Sequence, residues 1–491
     1  MGKELQSMSQ EVGGIHTRME SVGFESSEGE VRLIPGKVHT ISKQEPLPNH
    51  LTNCFVAWVN HVPIIRSGSI DSDDKAHEFV ALARKVNQER TNSSSTQLFR
   101  VCSHQLNSVE FEWDLIRFQH QRLSQISRAM QKGEKIVHLT ADLRNFYTIR
   151  PNERKLQSDE EALGKLPKLL NMAAWADYCA WYNDLLEEAF SNFLCDAVDE
   201  YTLERYIKDF RHEVFSLFLK RTREQLLELE LQVGTLEKAM KAPYRDVVAT
   251  EKRLIQARSD MQRMVRAHYD SLTEILRIIK IVGDAHPELY PLMNIGKVLK
   301  ELLANQVEVP GVKSINWAVN EMHLQILNED FGVISALNCD NGIDRTNLAF
   351  AIRLAVSQLK QEFSREEVGE MLEHWEEITR AVNKKVTNGG EGETPQRLAQ
   401  MVIRYRERFC GNLVNFCIPI TELNTSGGMP QRQERLYEHQ IPLNFFPSHF
   451  SFPNEAGEPE RVPLVNYDSE TGTPTELTDA GHRLMMSVCY S

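Results

Sequence analysis

The sequence predicts a mixed α/β fold with a helical region inserted in its middle. Short apolar runs separated by turn residues occur over residues 31–165, which is typical of α/β or α+β packing. Residues 166–285 contain few turn residues, and their apolar positions follow helical periodicity. The mixed pattern then returns over residues 286–425. We therefore expect two parts of one α/β domain, separated by a helical insertion.

The first part of the domain combines predicted strands with a predicted helix. Two apolar runs, 54–68 and 135–151, indicate strands, and the stretch 111–131 between them indicates a helix. Residues 1–30 are polar and rich in Gly, Ser and Glu, so we expect a flexible N-terminal tail there.

The inserted region carries two apolar seams with heptad-like spacing. The first seam alternates steps of three and four residues, through Leu226, Leu229, Val233, Leu236 and Met240. Pro243 ends this helix, because proline cannot continue the hydrogen-bond ladder. A second seam follows over residues 254–279, so an antiparallel helical hairpin is predicted. It is either a scaffold or a docking surface for a protein partner or membrane.

The C-terminal part has little periodicity. After residue 425 the chain is rich in Pro, Gly and Asn. We expect residues 426–491 to form an extended segment that wraps the core.

Overall composition restricts the classes of function. The hydrophobic content of 41% and charged content of 25% are ordinary for a soluble globular protein. A net charge of −13 argues against nucleic-acid binding and against docking of the whole surface to an anionic membrane. The eight cysteines show no paired spacing, which indicates reduced thiols in a cytoplasmic compartment. We found no signal peptide, membrane-spanning run, metal motif or cofactor motif, so peripheral membrane contact and no cofactor are expected.

The most informative stretch is "CDNGIDRT", residues 339–346, which we call the cysteine loop. The apolar run 333–337 before it predicts a buried strand, and residues 346–363 after it predict a buried helix. In a strand–loop–helix turn of this kind, backbone N–H groups and the helix N-terminus converge on one point. The sequence therefore predicts an anion-binding loop.

The side chains in this loop match the chemistry of phosphate hydrolysis. A cation and a helix N-terminus favour the thiolate of Cys339, which is the nucleophile. Arg345 can hold two phosphate oxygens, and Gly342 allows a tight turn. The Thr346 hydroxyl can donate to the thiolate, and Asp344 is assigned as the general acid. Together these groups predict a cysteine-dependent phosphatase.

The loop resembles a known family motif. None of the other seven cysteines has Arg six positions later. The motif "CDNGIDRTN" is similar to the P-loop of the Cys-x5-Arg-Thr phosphoinositide phosphatases, with the glycine and Asp-Arg-Thr of myotubularins and the "DRTN" of Sac-domain phosphatases. The overall layout, with "RVCSHQLNS" at 100–108, resembles bacterial effector phosphoinositide phosphatases of the SopB and SidP kind. The resemblance implies a cysteine-phosphatase-like catalytic domain, in which Cys339, Arg345 and Asp344 take the same roles, and delivery into a host-cell cytosol.

Two positions of the loop bear on the substrate. Several relatives carry lysines in the pattern "CKSGKDRT", whereas this chain has Asp340 and Ile343. A lipid with few phosphates is therefore expected, and the myotubularin-like loop implies removal of a 3-phosphate. Phosphatidylinositol 3-phosphate is the first candidate substrate and the 3,5-bisphosphate is the second. Asn341 completes the loop. Lys384 and Lys385 are assigned to the headgroup pocket, with a solvated loop as the alternative.

Two alternatives remain open. Protein tyrosine phosphatases usually carry His before the cysteine, where this chain has Asn338, and they take their acid from a distant loop. The second alternative is a helical partner-binding protein with a vestigial phosphatase loop. Retention of Cys, Asp, Arg and Thr together argues against this second alternative.

Overall fold

The computed structural model describes only part of the chain. The described residues are 11–12, 15–16, 21–27, 30–36, 39–40, 50–52, 54–59, 61–91, 98–107, 109–141, 166–196, 266, 269–270, 272–277, 279–280, 287–306, 316–340, 342, 344–388, 396–416, 443–453, 459–468, 470–471 and 473–478. The predicted first seam and the turn at Pro243 lie outside these residues.

The described residues form both strands and helices. The strands are β1 (Glu11–Val12), β2 (Ile15–His16), β3 (Ser21–Ser27), β4 (Glu30–Gly36), β5 (His39–Thr40), β6 (Phe55–Val59), β7 (Val62–Gly68), β8 (Arg100–Gln105), β9 (Lys135–Thr140), β10 (Ile334–Cys339), β11 (His449–Pro453), β12 (Pro459–Pro463), β13 (Val465–Tyr467) and β14 (Pro474–Leu477). The helices are α1 (Asp73–Thr91), α2 (Val109–Arg128), α3 (Leu166–Asp196), α4 (Tyr290–Gln306), α5 (Trp317–Asp330), α6 (Asp344–Leu359), α7 (Arg365–Glu373), α8 (Trp375–Asn388) and α9 (Gln396–Phe416), and 3₁₀ turns cover Pro287–Leu289 and Leu443–Phe445.

A six-stranded sheet organises the fold, in the order β5-β6-β7-β10-β8-β9. Strands β7, β10, β8 and β9 run parallel, and β6 runs antiparallel to its two neighbours, β5 and β7. The register pairs Cys339 with Gly68 of β7, and Asn338 with Gln105 of β8. Every residue of β10 is buried, as expected of a central strand with both faces covered. The carboxyl ends of the parallel strands meet at one edge, where ligands bind in open α/β sheets.

The two faces of β10 pack against different helices. Ile334 and Ala336 belong to a core that includes Phe79 of α1. Leu337 and Cys339 belong to the opposite core, which α6 supplies with Phe350. Because side chains alternate across a strand, Cys339 lies on the α6 side of the sheet.

The described part of the predicted insertion is packed into the main core. Helix α3 packs against β9 and α4. Residues 269–270, 272–277 and 279–280 are helical, and we call them the second-seam helix. Its Leu272, Ile275 and Ile279 are 1%, 2% and 0% exposed, in the same cluster as α3 and α4. The described part of the second seam is therefore buried against the α/β domain itself.

Both ends of the chain contribute strands. Residues 1–30, whose composition indicates a flexible tail, contain β1, β2 and β3, and β3 pairs with β4 and packs against α9. Within the predicted C-terminal wrapping segment, two hairpins form, β11–β12 and β13–β14. Leu464 and Leu477 from this segment are buried in a cluster with α6 and α9. The described C-terminal residues thus cover the helical layer.

Candidate active site

The cysteine loop lies at the carboxyl edge of the sheet. Cys339 is the last residue of β10 and is 2% exposed. Helix α6 begins at Asp344, two residues earlier than the predicted start at Thr346. The positive end of the helix dipole therefore points toward the loop, which favours a bound anion.

Backbone contacts fix the loop against its neighbours. The Gly342 amide donates to the Cys339 carbonyl at 3.1 Å, and the Ser69 amide donates to the Asp340 carbonyl at 3.2 Å. Gly342 has a φ of 68°, and a Cβ there would lie 2.4 Å from the Gly68 nitrogen. Only glycine meets both requirements without a shift of the backbone.

Arg345 is held by a carboxylate that sequence analysis did not identify. Its guanidinium donates from Nη1 to Oε2 of Glu112 at 2.5 Å and from Nη2 to Oε1 at 2.7 Å. Arg345 is 2% exposed, so this bidentate pair is largely shielded from water. Glu112 lies in α2 at a kink, with φ −123° and ψ 25°. This ion pair fixes the orientation of the guanidinium plane. A guanidinium has more than one edge with N–H donors, so a second edge can bind phosphate.

Carboxylates and one lysine surround the mouth of the loop. Asp340 is exposed. Partial burial and, after it, the Glu112 carboxylate raise the pKa of Asp340, while Arg345 opposes the rise. Asp71 also raises this pKa and Lys75 lowers it, and Lys75 pairs with Asp71 at 2.7 Å. The mouth is therefore more acidic than the interior of the loop, which disfavours ligands with several negative charges.

The Thr346 hydroxyl has the burial expected of a site residue. Thr346 is 0% exposed, and its Oγ1 has no hydrogen-bond partner among the described groups. The predicted donation to Cys339 is thus not formed in this structure. A buried hydroxyl without a partner costs free energy, so Thr346 is poised to bond a ligand or the nucleophile.

The residue after Thr346 anchors the first turn of α6. Asn347 accepts a hydrogen bond from Arg66 of β7, and Arg66 lies over the ring of Phe350 at 6.0 Å. Since Arg66 is 1% exposed, this contact ties the helix start to the sheet from within the core.

A neutral network supports the strand end on the face of α1 and α2. Gln119 of α2 donates to Asn338 Oδ1 at 2.7 Å and to Ser103 Oγ at 3.1 Å. Asn338 donates to the same Ser103 Oγ at 3.2 Å, and the Ile70 amide donates to Gln119 Oε1 at 3.1 Å. These contacts join β10, β8 and the residues that follow β7, so three segments around the cysteine loop share one set of hydrogen bonds.

An ionic network supports the opposite face. Arg353 of α6 is 0% exposed and contacts Glu321 of α5 at 2.7 Å. His104 of β8 lies 3.1 Å from Glu321 and 2.8 Å from Arg353. Burial acts to raise the pKa of Glu321, but Arg353 and then His104 outweigh it and lower this pKa to about 2. The network fixes α6 to both α5 and the sheet.

Several predicted site residues lie partly or wholly outside the part of the chain that the structure describes. Asn341 and Ile343 lie outside the described residues. The backbones of Asp344 and Lys385 are helical, but their side chains lie outside the described set.

Lys384 is an exposed residue of α8. The neighbouring Asn383 accepts a hydrogen bond from Arg406 of α9 at 3.0 Å. The assignment of Lys384 to the headgroup pocket stays a prediction.

The described residues contain no cluster of His, Cys, Asp and Glu side chains suited to a metal ion. Within the same residues, every helix is too short or too polar to cross a lipid bilayer.

Comparisons with known proteins give a single distant likeness to report. No protein-family model matches the chain, and no curated protein matches it. Among solved structures, the chain is similar to a Legionella phosphoinositide phosphatase, SidF, with a TM-score of 0.39 and 11% identity. The match covers 80% of this chain and 70% of the other. At that TM-score, the likeness carries no argument about this site.

Proposed function

We propose that this protein is a cysteine-dependent phosphatase that hydrolyses a phosphate monoester of an inositol lipid. One arrangement carries the proposal. Cys339 ends the central parallel strand, the loop turns at Gly342, and Arg345 lies buried at the start of the next helix. Nucleophile, anion cradle and phosphate-binding guanidinium are thereby joined in one segment of eight residues.

The reaction has two steps. In the first, the Cys339 thiolate attacks phosphorus, the S–P bond forms, the bond from phosphorus to the ring oxygen breaks, and Asp344 protonates that oxygen. In the second, water attacks the phosphocysteine and gives a proton to the Asp344 carboxylate, the S–P bond breaks, and inorganic phosphate and the thiolate are released. Arg345 stabilises the equatorial oxygens in both steps, and Thr346 donates to the thiolate as it forms.

The substrate class follows from the charges at the mouth. Asp340 and Glu112 both lie beside Arg345, so a headgroup with several phosphates meets repulsion there. These charges favour a headgroup with few phosphates, and the resemblance of the loop to that of myotubularins implies removal of a 3-phosphate. Phosphatidylinositol 3-phosphate is accordingly the first proposed substrate and the 3,5-bisphosphate the second. The lipid is met by peripheral contact at a membrane surface, in the cytosol of a host cell if the chain is a delivered effector.

The deciding experiment measures free phosphate from short-chain forms of all seven phosphoinositides, soluble inositol phosphates and a phosphotyrosine peptide. The wild type is compared with Cys339→Ser and with Cys54→Ser, a thiol outside the loop. We expect release from the 3-phosphate lipids that Cys339→Ser abolishes and Cys54→Ser retains. Turnover confined to 4- or 5-phosphates would reject the regiochemistry. Turnover of the peptide would identify a tyrosine phosphatase, and no turnover would favour a partner-binding protein.

A second experiment assigns the general acid. Loss of a general acid slows a reaction about 10²–10⁴-fold when the leaving oxygen needs a proton. We expect Asp344→Asn to lower kcat on the lipid strongly and on p-nitrophenyl phosphate little, because nitrophenolate leaves without a proton. Asp340→Asn is the matched control and should leave both rates within a few fold. The reverse pattern would assign the acid to Asp340.

A further inference from the structure

A cavity among the helices shares no lining residue with the cysteine loop. A cleft of about 420 Å³ opens between the second-seam helix and α4. We call it the basic cleft, because four cations line it: Arg277, Lys280, Lys297 and Lys300. This is unusual for a chain with a net charge of −13. The volume falls within the range of small-molecule sites, which is about 300–1,000 Å³.

Two of the four cations are not neutralised by a described carboxylate. Arg277 pairs with Glu274 at 2.6 Å, and Lys297 pairs with Glu373 at 3.5 Å. Within the described ranges, Lys280 and Lys300 have no carboxylate within ion-pair distance. Lys300 instead lies over the Tyr269 ring, 4.7 Å from its centroid. The cleft therefore holds uncompensated positive charge beside an aromatic wall.

One acidic group of the cleft, Glu301, is a weak counter-ion. Burial and then Glu373 raise the pKa of Glu301 to about 7, so this carboxyl is partly neutral near physiological pH. His323, at 3.3 Å from Glu301, has its pKa lowered to about 4 by burial and by Arg365, so it is uncharged. The lysines thus dominate the field inside the cleft.

An acidic cavity lies directly beside the basic cleft. This second cavity, of about 410 Å³, shares Lys297, Glu301 and Glu373 with the cleft. It is lined further by Glu366 and Glu370, which make it acidic. A flat anionic surface laid across both cavities would also meet Glu366 and Glu370, whereas a compact anion in the basic cleft would meet only the shared Glu301 and Glu373. The geometry therefore favours one inserted group over a charged plane.

We propose that the basic cleft is a non-catalytic binding site for a phosphorylated inositol headgroup. Lys280 and Lys300 hold the phosphomonoester, and Arg277 and Lys297 lie at its periphery. The apolar wall formed by Leu276, Met293 and Tyr269 packs against the ring. The headgroup belongs either to a membrane lipid or to a free inositol phosphate, since the same phosphate chemistry serves both. The site shares no residue with the cysteine loop.

The test counts binding sites in full-length protein. Titration calorimetry with inositol 1,3-bisphosphate uses Cys339→Ser as the background, so that nothing is hydrolysed. We expect two sites, of which Lys280→Gln/Lys300→Gln removes one, with affinity there weakened at least about tenfold. The matched control Arg128→Gln/Lys132→Gln removes the same charge from another exposed region and should keep both sites. Thermal unfolding checks that each variant is folded.

Further arms separate this site from the proposed catalytic site and identify its ligand source. Arg345→Met should remove the other site, so failure of the catalytic proposal leaves one lysine-dependent site rather than none. Flotation with phosphatidylcholine vesicles containing phosphatidylinositol 3-phosphate shows whether a lipid headgroup enters. Binding of vesicles that depends on the two lysines supports a lipid source, and binding of the bisphosphate alone supports a soluble one. If the lysine variant binds like the control, or the background protein binds nothing, the proposal is wrong.

Discussion

The strand that carries Cys339 is held differently on its two faces. On one face, Asn338, Gln119 and Ser103 share hydrogen bonds between neutral groups. On the other, Arg353 and Glu321 form a fully buried ion pair beside His104. Removing one partner of a hydrogen bond between neutral amides lowers the free energy of unfolding modestly. Removing one partner of a buried ion pair lowers it strongly, because the other charge stays buried without compensation. The same strand end is therefore held on one face by contacts that do not depend on pH, and on the other face by contacts between charged groups.

The largest effect is expected from Arg353→Met. The change leaves the Glu321 carboxylate buried beside His104 alone, and the free energy of unfolding should fall by about 3–5 kcal/mol. Urea denaturation followed by circular dichroism measures it. The double variant Arg353→Met/Glu321→Leu should regain much of the loss, because a buried ion pair can be replaced by apolar groups of similar volume. Equal losses in the single and double variants would show that the charge pairing is not what matters.

The next largest effect is a dependence of stability on pH, which arises from the ion pair between Arg353 and Glu321. The pKa of Glu321 is about 2 in the folded protein, against an ordinary value of 4.5. Its stabilisation is therefore fully present above pH 4.5 and is lost as the pH falls toward 2, at a cost of roughly 3 kcal/mol. The urea midpoint of the wild type should fall more steeply over this window than that of Glu321→Gln. Parallel curves for the two proteins would contradict this assignment.

A smaller effect is expected when the neutral face is broken. Gln119→Leu leaves Asn338 Oδ1 and the Ile70 amide without their partner, so the free energy of unfolding should fall by about 1–3 kcal/mol. The loss should be the same at pH 7 and at pH 4, because no group in this network titrates there. Urea denaturation at both values tests this. A loss that grows with acidity would link the two faces.

The smallest effect is expected from Ser103→Ala. Its hydroxyl accepts from both Gln119 and Asn338, but those two amides also bond each other. We expect a loss of about 1 kcal/mol, measurable as a shift of the urea midpoint with an unchanged slope. A loss as large as that of Gln119→Leu would mean that the serine is the centre of the network.

Local features of the site could be predicted from the sequence, because they depend on neighbouring residues. The apolar run 333–337 lies largely within β10, and the run 346–363 largely within α6. The need for glycine at 342 follows from the tight turn, and its φ of 68° agrees. The helix start was misplaced by two residues, since Asp344 and Arg345 belong to its first turn rather than to the loop.

Contacts between distant segments could not be predicted. Glu112 lies 233 residues from Arg345, and no spacing or motif connects them. The second seam shows a related limit. Heptad-like spacing describes an apolar face but not its partner, and Leu272, Ile275 and Ile279 pack on the α/β core.

The position of β10 has a consequence for biosynthesis. This strand lies between β7 and β8, yet Asn338 and Ser103 are 235 residues apart along the chain. A nascent chain that has completed β9 must keep the facing edges of β7 and β8 from pairing with each other or with other chains. Contacts between residues so far apart in sequence form slowly. Strand β10 therefore completes the sheet only after most of the chain has left the ribosome. The cysteine loop, which follows that strand directly, is therefore completed late, after the rest of the sheet has been synthesised.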